Sequence, residues 1–296
     1  MRVVSLLPSA TEIVFALGRG DDLVGVTFEC DYPAAARQRR VVSTSALPEG
    51  LTPAEIDRVV TERIANGEDL YRLDADALRD LEPDVILTQD LCAVCAVDVE
   101  RVDDALDYLG CRAQVITLDP RSVDEVLGTI EQVGDVLGAR DAAAALVAGA
   151  RDRVKTLVDT LVDAPRRPTL MLEWTDPPFS AGHWVPDLAM LGGGAPLLAN
   201  PGADSQRLEW DQVAAAAADV VIVAPCGYHL DAAAALAEST LAHGTLPAGA
   251  EVWAVDADAH FVRPGPRVID GAETTAAILH PDRVGPPDRT RALRIA

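Results

Sequence analysis

Apolar and polar positions along this chain alternate between two patterns: short continuous apolar runs and longer stretches of helical period. RVVSLLP (residues 2–8), LVGVTF (23–28), DVILTQ (84–89) and AQVITL (113–118) have the length and β-branched content of buried strands. SATEIVFALG (9–18) reads as a helix closed by Gly18, and VDVERVDDALDYLG (97–110) as another. TPAEIDRVVTERIANG (52–67) carries the fullest helix signature, with Thr52 as N-cap, Pro53 at the first helical position, Glu55 completing a capping box and Gly67 as the stop. Strands separated by helices predict an α/β fold with parallel sheets.

From Ser122 to about Val162 the strand signal disappears and only helical period remains, including the Ala-rich run AAAALVAGARDRVKTLVDTLV. Roughly twenty such residues make a helix about 30 Å long. After PRRP (165–168) the alternation resumes. PTLMLEW, DVVIVAP and EVWAVD read as strands; LEWDQVAAAAA, LDAAAALAEST and GPRVIDGAETTAAIL read as helices. The expected organisation is two Rossmann-like lobes, residues 1–120 and 165–296, joined by a helical segment over 121–164 with a long backbone helix. An internal echo fits this plan. LRDLEPDVILTQDLC (78–92) and WDQVAAAAADVVIVAPCG (210–227) both run helix, Asp-Val, buried strand, then a loop bearing a cysteine. Ligands of parallel sheets sit at the carboxyl ends of strands, which is where Cys92 and Cys226 fall.

Charge narrows the function classes. The formal net charge is -22 and Lys155 is the single lysine, so the clustered cations that bind nucleic acid are missing. Such a surface is also repelled by anionic membrane faces. No stretch reaches the eighteen or more apolar residues of a membrane span, and Pro8 and Glu12 interrupt the N-terminal run. As written, the chain reads as cytoplasmic, or exported if a signal has been trimmed. Five cysteines, at 30, 92, 95, 111 and 226, form no disulfide framework.

Candidate chemistry concentrates in loops after predicted strands. Cys92 and Cys95 form a Cys-x-x-Cys pair with three readings: half a zinc site, a redox dithiol, or the small polar wall of a pocket. No second pair and no thioredoxin-like surround accompanies them, which favours the pocket wall. EWTDPPFSAGHWVPDL (173–188) gathers Trp174, Asp176, Phe179, His183 and Trp184 in a chain poor in aromatics. This is either a surface for a large flat ligand or a pair of tryptophans capping the core. His183 reads more as a hydrogen-bonded support than as a metal ligand. FECDYP offers Glu29, Cys30, Asp31 and Tyr32; PCGYHL offers Cys226, Gly227 and His229; DADAHFVRPGPR offers His260, Phe261 and Arg263. The GxSxG, HExxH and P-loop signatures are absent, which places a binding protein ahead of an enzyme. An enzyme using Cys92 and Cys95 for thiol or zinc chemistry is the rival from another class.

The opening VVSLLPSATEIVFALG resembles the first strand and helix, SLxPSxTExxxALG, of the class III substrate-binding proteins of ABC transporters. These are helical-backbone receptors for cobalamin, haem and ferric siderophores. LEPDVILTQ is similar to that family's L-x-P-D-x-I strand, and the resemblance covers nearly the whole chain. FECDYP, TQDLCAVCAV, DPPFSAGHWVP and RPGPR are similar to the cobalamin-binding, BtuF-like subgroup. The resemblance implies a ligand cleft between the lobes, lined by Ser9, Glu29, Cys30, Asp31, Tyr32, Cys92, Cys95, Trp174, Asp176, His183, Trp184, Cys226, Gly227, His260 and Phe261. It implies a cobalamin-like corrinoid held without covalent chemistry, and an ABC permease as partner, met through acidic residues. A ferric siderophore or haem is the alternative ligand. Siderophores are usually anionic, and only Arg263 and Arg267 are cationic in these loops. Neither an export signal nor a lipobox cysteine is written in the chain, so a cytosolic corrinoid carrier stands beside the transport receptor. In such a cytosolic carrier a Cys92 or Cys95 thiolate, or His183, would be placed to approach cobalt.

Overall fold

Val3, Val4 and Ser5 are all buried, the continuous burial of a strand covered on both faces, and they form the first strand of a computed structural model that describes residues 1–89 and 113–296. In chain order, β1 (Val3–Ser5), α1 (Pro8–Ala16), β2 (Leu23–Thr27), β3 (Arg40–Ser45), α2 (Pro53–Ala65), β4 (Tyr71–Leu73), α3 (Ala75–Leu81), β5 (Val85–Thr88) and β6 (Gln114–Thr117) build one sheet of order β4-β3-β2-β1-β5-β6. Its strands are parallel except for β4, which runs antiparallel to β3. Val4, Leu6, Val42, Ala77, Leu78 and Ile86 form a core cluster there. Gly18 follows α1 at φ 72°, a left-handed position that glycine takes without a Cβ clash. The capping box of α2 is present: the Glu55 amide donates to Thr52 Oγ1 (3.4 Å) and the Thr52 amide to Glu55 Oε2 (2.8 Å).

The helical middle of the chain is α4 (Val123–Val136) and α5 (Arg140–Leu161). At 22 residues, α5 is about 33 Å long. The chain forms two compact units, Met1–Pro120 with Leu127–Val147, and Arg121–Val126 with Ala148–Ala296, so both helices pass from one unit to the other. The fold is therefore α/β, with mostly parallel sheets and a long helix in the connection. All four tryptophans, Trp174, Trp184, Trp210 and Trp253, belong to the second unit.

That unit contains β7 (Arg167–Thr175), β8 (Pro178–Ser180), α6 (Val185–Leu191), β9 (Gly194–Pro196), α7 (Trp210–Ala215), β10 (Val220–Val223), α8 (Leu230–Ala242), β11 (Glu251–Val255), α9 (Ala257–His260), α10 (Val268–Leu279), α11 (Pro281–Val284) and β12 (Ala292–Arg294). The sheet order is β12-β11-β10-β7-β8, with β9 also pairing with β7. The inner strands β7, β10 and β11 are parallel, and short antiparallel strands flank them. All four residues of β10 are fully buried. Ala233, Ala234 and Ala237 of α8 join Leu170, Leu172, Val221 and Val223 in the core, small side chains that let the helix lie close to the sheet. Residues 173–188, expected to be one loop, instead run through the end of β7, the strand β8 and the start of α6. The helix expected over 97–110 lies outside the described residues. Among the described residues, no helix is long and apolar enough to cross a membrane.

One close approach fixes the last loop of the second sheet. A Cβ on Gly271 of α10 would stand 2.2 Å from the His260 carbonyl oxygen, an impossible contact with backbone. Gly271→Ala is expected to destabilise the protein by about 1–3 kcal/mol through overpacking. A urea-unfolding midpoint unchanged from the parent would show that the helix moves aside at no cost.

Candidate functional site

In the second unit, parallel pairing places the ends of β7, β10 and β11 side by side, with Val223 opposite Leu172 and Ala254. Trp174 stands near the end of β7, and the segments after β10 and β11 carry Cys226 to His229 and Asp256 to Arg263. Hydrogen bonds join the loops: the Cys226 amide donates to the Glu173 carbonyl (3.1 Å), and the Asp258 amide to the Tyr228 carbonyl (3.1 Å). Trp174 is half-buried, packs edge-on against Tyr228 at 5.7 Å between centroids, and donates from Nε1 to the Asp176 carbonyl (3.2 Å). Burial pushes the Tyr228 phenol pKa up. Gly227, exposed at φ 78°, makes the turn after β10 that a side chain would strain. Cys226 is half-buried.

Other expected site residues are interior and hold these loops. Trp184 is buried, and its indole Nε1 donates to the Phe261 carbonyl (2.7 Å). The Phe261 ring is 0% exposed, so it fills the core instead of facing a ligand. Glu173, itself buried, accepts from the Gly182 amide (3.0 Å) and from Ser205 Oγ (2.5 Å). His183 adopts φ 50°; its amide donates to the Ala203 carbonyl and its Nε2 lies 3.2 Å from Asp204, which Arg121 also holds at 2.9 Å. These contacts tie His183 to the Ala203–Asp204 segment. His260 is likewise sheltered, with Nδ1 3.6 Å from Asp270. Phe179 sits on β8, paired across the strands with Trp174, and the Arg207 guanidinium lies over its ring, 5.6 Å from the ring centroid.

A polar cluster completes these loops. Arg263 is buried and clamps Asp258 in a bidentate pair, Nε to Oδ1 at 3.2 Å and Nη2 to Oδ2 at 2.5 Å. His229 Nδ1 is 2.9 Å from Asp256 Oδ1, which also accepts from the Ala259 amide (3.2 Å). Asp256 and Asp258 gave no sequence signal beyond their place after a strand. Glu173 and Ser205, 32 residues apart, gave none at all.

In the first unit the corresponding loops carry the other expected residues. Ser9, in the first turn of α1, and Cys30 are buried, and Thr11 Oγ1 lies 3.0 Å from Cys30 Sγ. Glu29 is half-buried and accepts from the Tyr71 hydroxyl (3.4 Å); Asp31 lies 3.7 Å from Arg37. Tyr32 and Phe28 are exposed, and Phe28 meets Tyr71 at 6.4 Å between centroids. Phe28 and Tyr71 form an aromatic pair in this unit that the sequence reading did not single out. Their separation in sequence, across β3 and α2, hid the pairing. Cys92 and Cys95 lie outside the described residues.

Each of the two units thus holds a mostly parallel α/β sheet with aromatic and carboxylate side chains near its strand ends, and long helices connect the units in sequence. The chain belongs to the Periplasmic binding protein family, whose model matches residues 3–251. It is 27% identical over 214 residues to the vitamin B12-binding proteins of Yersinia pestis and Yersinia pseudotuberculosis, a match covering 72% of this chain. The chain spans 63% of the length of these relatives. Its fold is similar to that of the periplasmic vitamin B12 binding protein BtuF of Vibrio cholerae, with a TM-score of 0.65 and 22% identity, covering 94% of this chain and 96% of that one. It is also similar to a periplasmic heme binding protein of Pseudomonas aeruginosa, with a TM-score of 0.74 and 20% identity, covering 100% and 98%.

Burial lowers the pKa of both His183 and His260 below the ordinary 6.5, with neighbouring carboxylates opposing the shift only in part. Above about pH 6.5 the ring is neutral in folded and unfolded chains alike. As pH falls through 6.5 the unfolded chain takes up protons first, so folding stability drops toward acid pH. His183→Asn, which tolerates the left-handed backbone, is expected to flatten the fall of the urea midpoint from pH 7.5 to 5.5. Parallel pH profiles for parent and variant would remove His183 from that dependence.

Proposed function

We propose that this protein binds a cobalamin-like corrinoid non-covalently, as the receptor of an ABC permease or as a carrier. The observation that carries the reading is the match over 72% of the chain to vitamin B12-binding proteins. The loop chemistry supports it. A corrinoid offers a broad ring rimmed by amide groups. Aromatic edges and faces suit the ring, and carboxylates and backbone groups suit the amides. The accessible residues proposed to contact ligand are Glu29, Asp31 and Tyr32 in the first unit, and Trp174, Asp176, Cys226 and Gly227 in the second, with the sheltered His260 beside them. Ser9, Cys30, His183, Trp184 and Phe261 support them from the interior, and Cys92 and Cys95 are proposed contacts from outside the described residues. An anionic siderophore is less well served, because the buried Arg263 already spends its donors on Asp258. Delivery to a permease is part of the proposal, with exposed acidic residues as the docking groups.

Calorimetric titration with hydroxocobalamin is expected to give saturable one-to-one binding, with haemin as the competitor that discriminates the tetrapyrroles. Trp174→Ala is expected to weaken the corrinoid about tenfold, the loss of roughly 1.4 kcal/mol of a central aromatic contact. Absence of heat at high micromolar corrinoid, with haemin binding tightly, would overturn the corrinoid in favour of haem.

A further inference from the structure

The C-terminal segment runs against the charge of the chain. In a protein of formal net charge -22, residues 281–296 carry Arg283, Arg289, Arg291 and Arg294 against only Asp282 and Asp288. Its strand β12 pairs with β11, with Arg294 opposite Trp253. Val252 and Ala254 belong to the core cluster that includes α8, so Trp253 and Arg294 stand on the other face of the sheet. A cavity of about 480 Å³ opens there, lined by Trp253, Pro286, Pro287, Arg289 and the residues of β12. That volume falls within the roughly 300–1,000 Å³ of small-molecule sites. Its walls are held in place. The Asp288 carbonyl accepts from the Arg291 and Ala292 amides (2.9 and 3.0 Å), and Asp288 Oδ1 accepts from the Thr290 amide and hydroxyl, both at 2.8 Å. The half-buried Trp253 donates from Nε1 to Glu251 Oε2 (3.4 Å). Two of the lining residues are arginines and none is a carboxylate. Glu251 is shared between Arg167 (2.8 Å) and Arg294 (3.7 Å), one carboxylate for two guanidiniums. Arg289 is exposed, and among the described residues no carboxylate pairs with it.

We infer that this cavity is a second small-molecule site, which takes a flat aromatic carboxylate. The ring lies against Trp253 and the two prolines, and the carboxylate meets Arg289, with Arg294 beside it. An indole and two proline rings offer apolar surface to an aromatic ring, and a guanidinium fork matches a carboxylate with two parallel hydrogen bonds. None of the lining residues belongs to the strand-end loops proposed to hold the corrinoid, so this site stands apart from that reading. Binding is reversible, and no covalent bond forms or breaks.

Calorimetric titration with cinnamate tests the assignment, with cinnamamide as the neutral ring of the same shape. The parent is expected to bind cinnamate saturably, and cinnamamide about tenfold more weakly, the scale of a hydrogen bond to a charged group. Arg289→Gln, an exposed change outside the core, is expected to weaken cinnamate about tenfold and to keep the urea midpoint of the parent. Trp253→Leu is expected to weaken both compounds. Trp174→Ala, at the strand ends, is expected to bind cinnamate as the parent does. Absence of saturable cinnamate binding by the parent up to millimolar concentration would overturn the site. Equal affinity for the two compounds, or full cinnamate affinity in Arg289→Gln, would overturn it as well. Loss of cinnamate binding in Trp174→Ala would place the compound at the strand ends and have the same consequence. Each of these outcomes leaves the corrinoid reading to its own titration with hydroxocobalamin.

Discussion

The parallel pairing of β7, β10 and β11 is the constraint on which the second unit's site depends. Three strands running in one direction deliver their chain exits to one edge of the sheet, and there the polypeptide must turn while its peptide groups still need partners. The Cys226 amide finds the Glu173 carbonyl, and the Asp258 amide finds the Tyr228 carbonyl, so the ladder is in effect extended past the last strand residues. Side chains that would otherwise ride on independent loops are thereby tied to one another. Trp174 meets Tyr228, and His229 meets Asp256, because these residues lie near or just past the ends of adjacent parallel strands.

Burial then sorts these residues into those that can meet a ligand and those that hold the frame. Glu173 is the clearest frame residue: a carboxylate inside the protein costs free energy unless its oxygens are satisfied, and an amide and a hydroxyl do this here. Gly182, which supplies that amide, has no room for a Cβ, since one would stand 2.3 Å from the Ser205 nitrogen. The Trp184 indole reaches a carbonyl of the loop after β11, and Arg263 and Asp258 form a charged pair within the same loop. Removing either charge of that pair would leave the other buried without its partner, which makes the loop intolerant of single changes.

Much of the fold was legible because its signals are local. The strands β1, β2, β5, β7, β10 and β11 announce themselves as apolar runs, and the Thr52–Glu55 box is a four-residue pattern that the structure contains. The three-residue strands β4, β8, β9 and β12 exist only through pairing with strands formed elsewhere, so no window of sequence reveals them. The site divides in the same way. That Trp174 closes a predicted strand and that Cys226 and Asp256 follow strands was readable, and so was their presence at a sheet edge. Which of Trp174 and Trp184 is accessible was not, because residue type is identical and burial is decided by distant packing. The partnership of His229 with Asp256, 27 residues apart, comes from neighbouring strands and has no footprint in the chain.

The confinement of all four tryptophans to the second unit has a use of its own. Excited at long ultraviolet wavelengths, the protein emits from that unit by itself, and the first unit is dark. Far-ultraviolet circular dichroism, by contrast, counts the helices of both. A melt followed by the two signals together thus measures how far the units unfold as one: coincident curves mark a single cooperative transition, and separated curves give each unit its own stability.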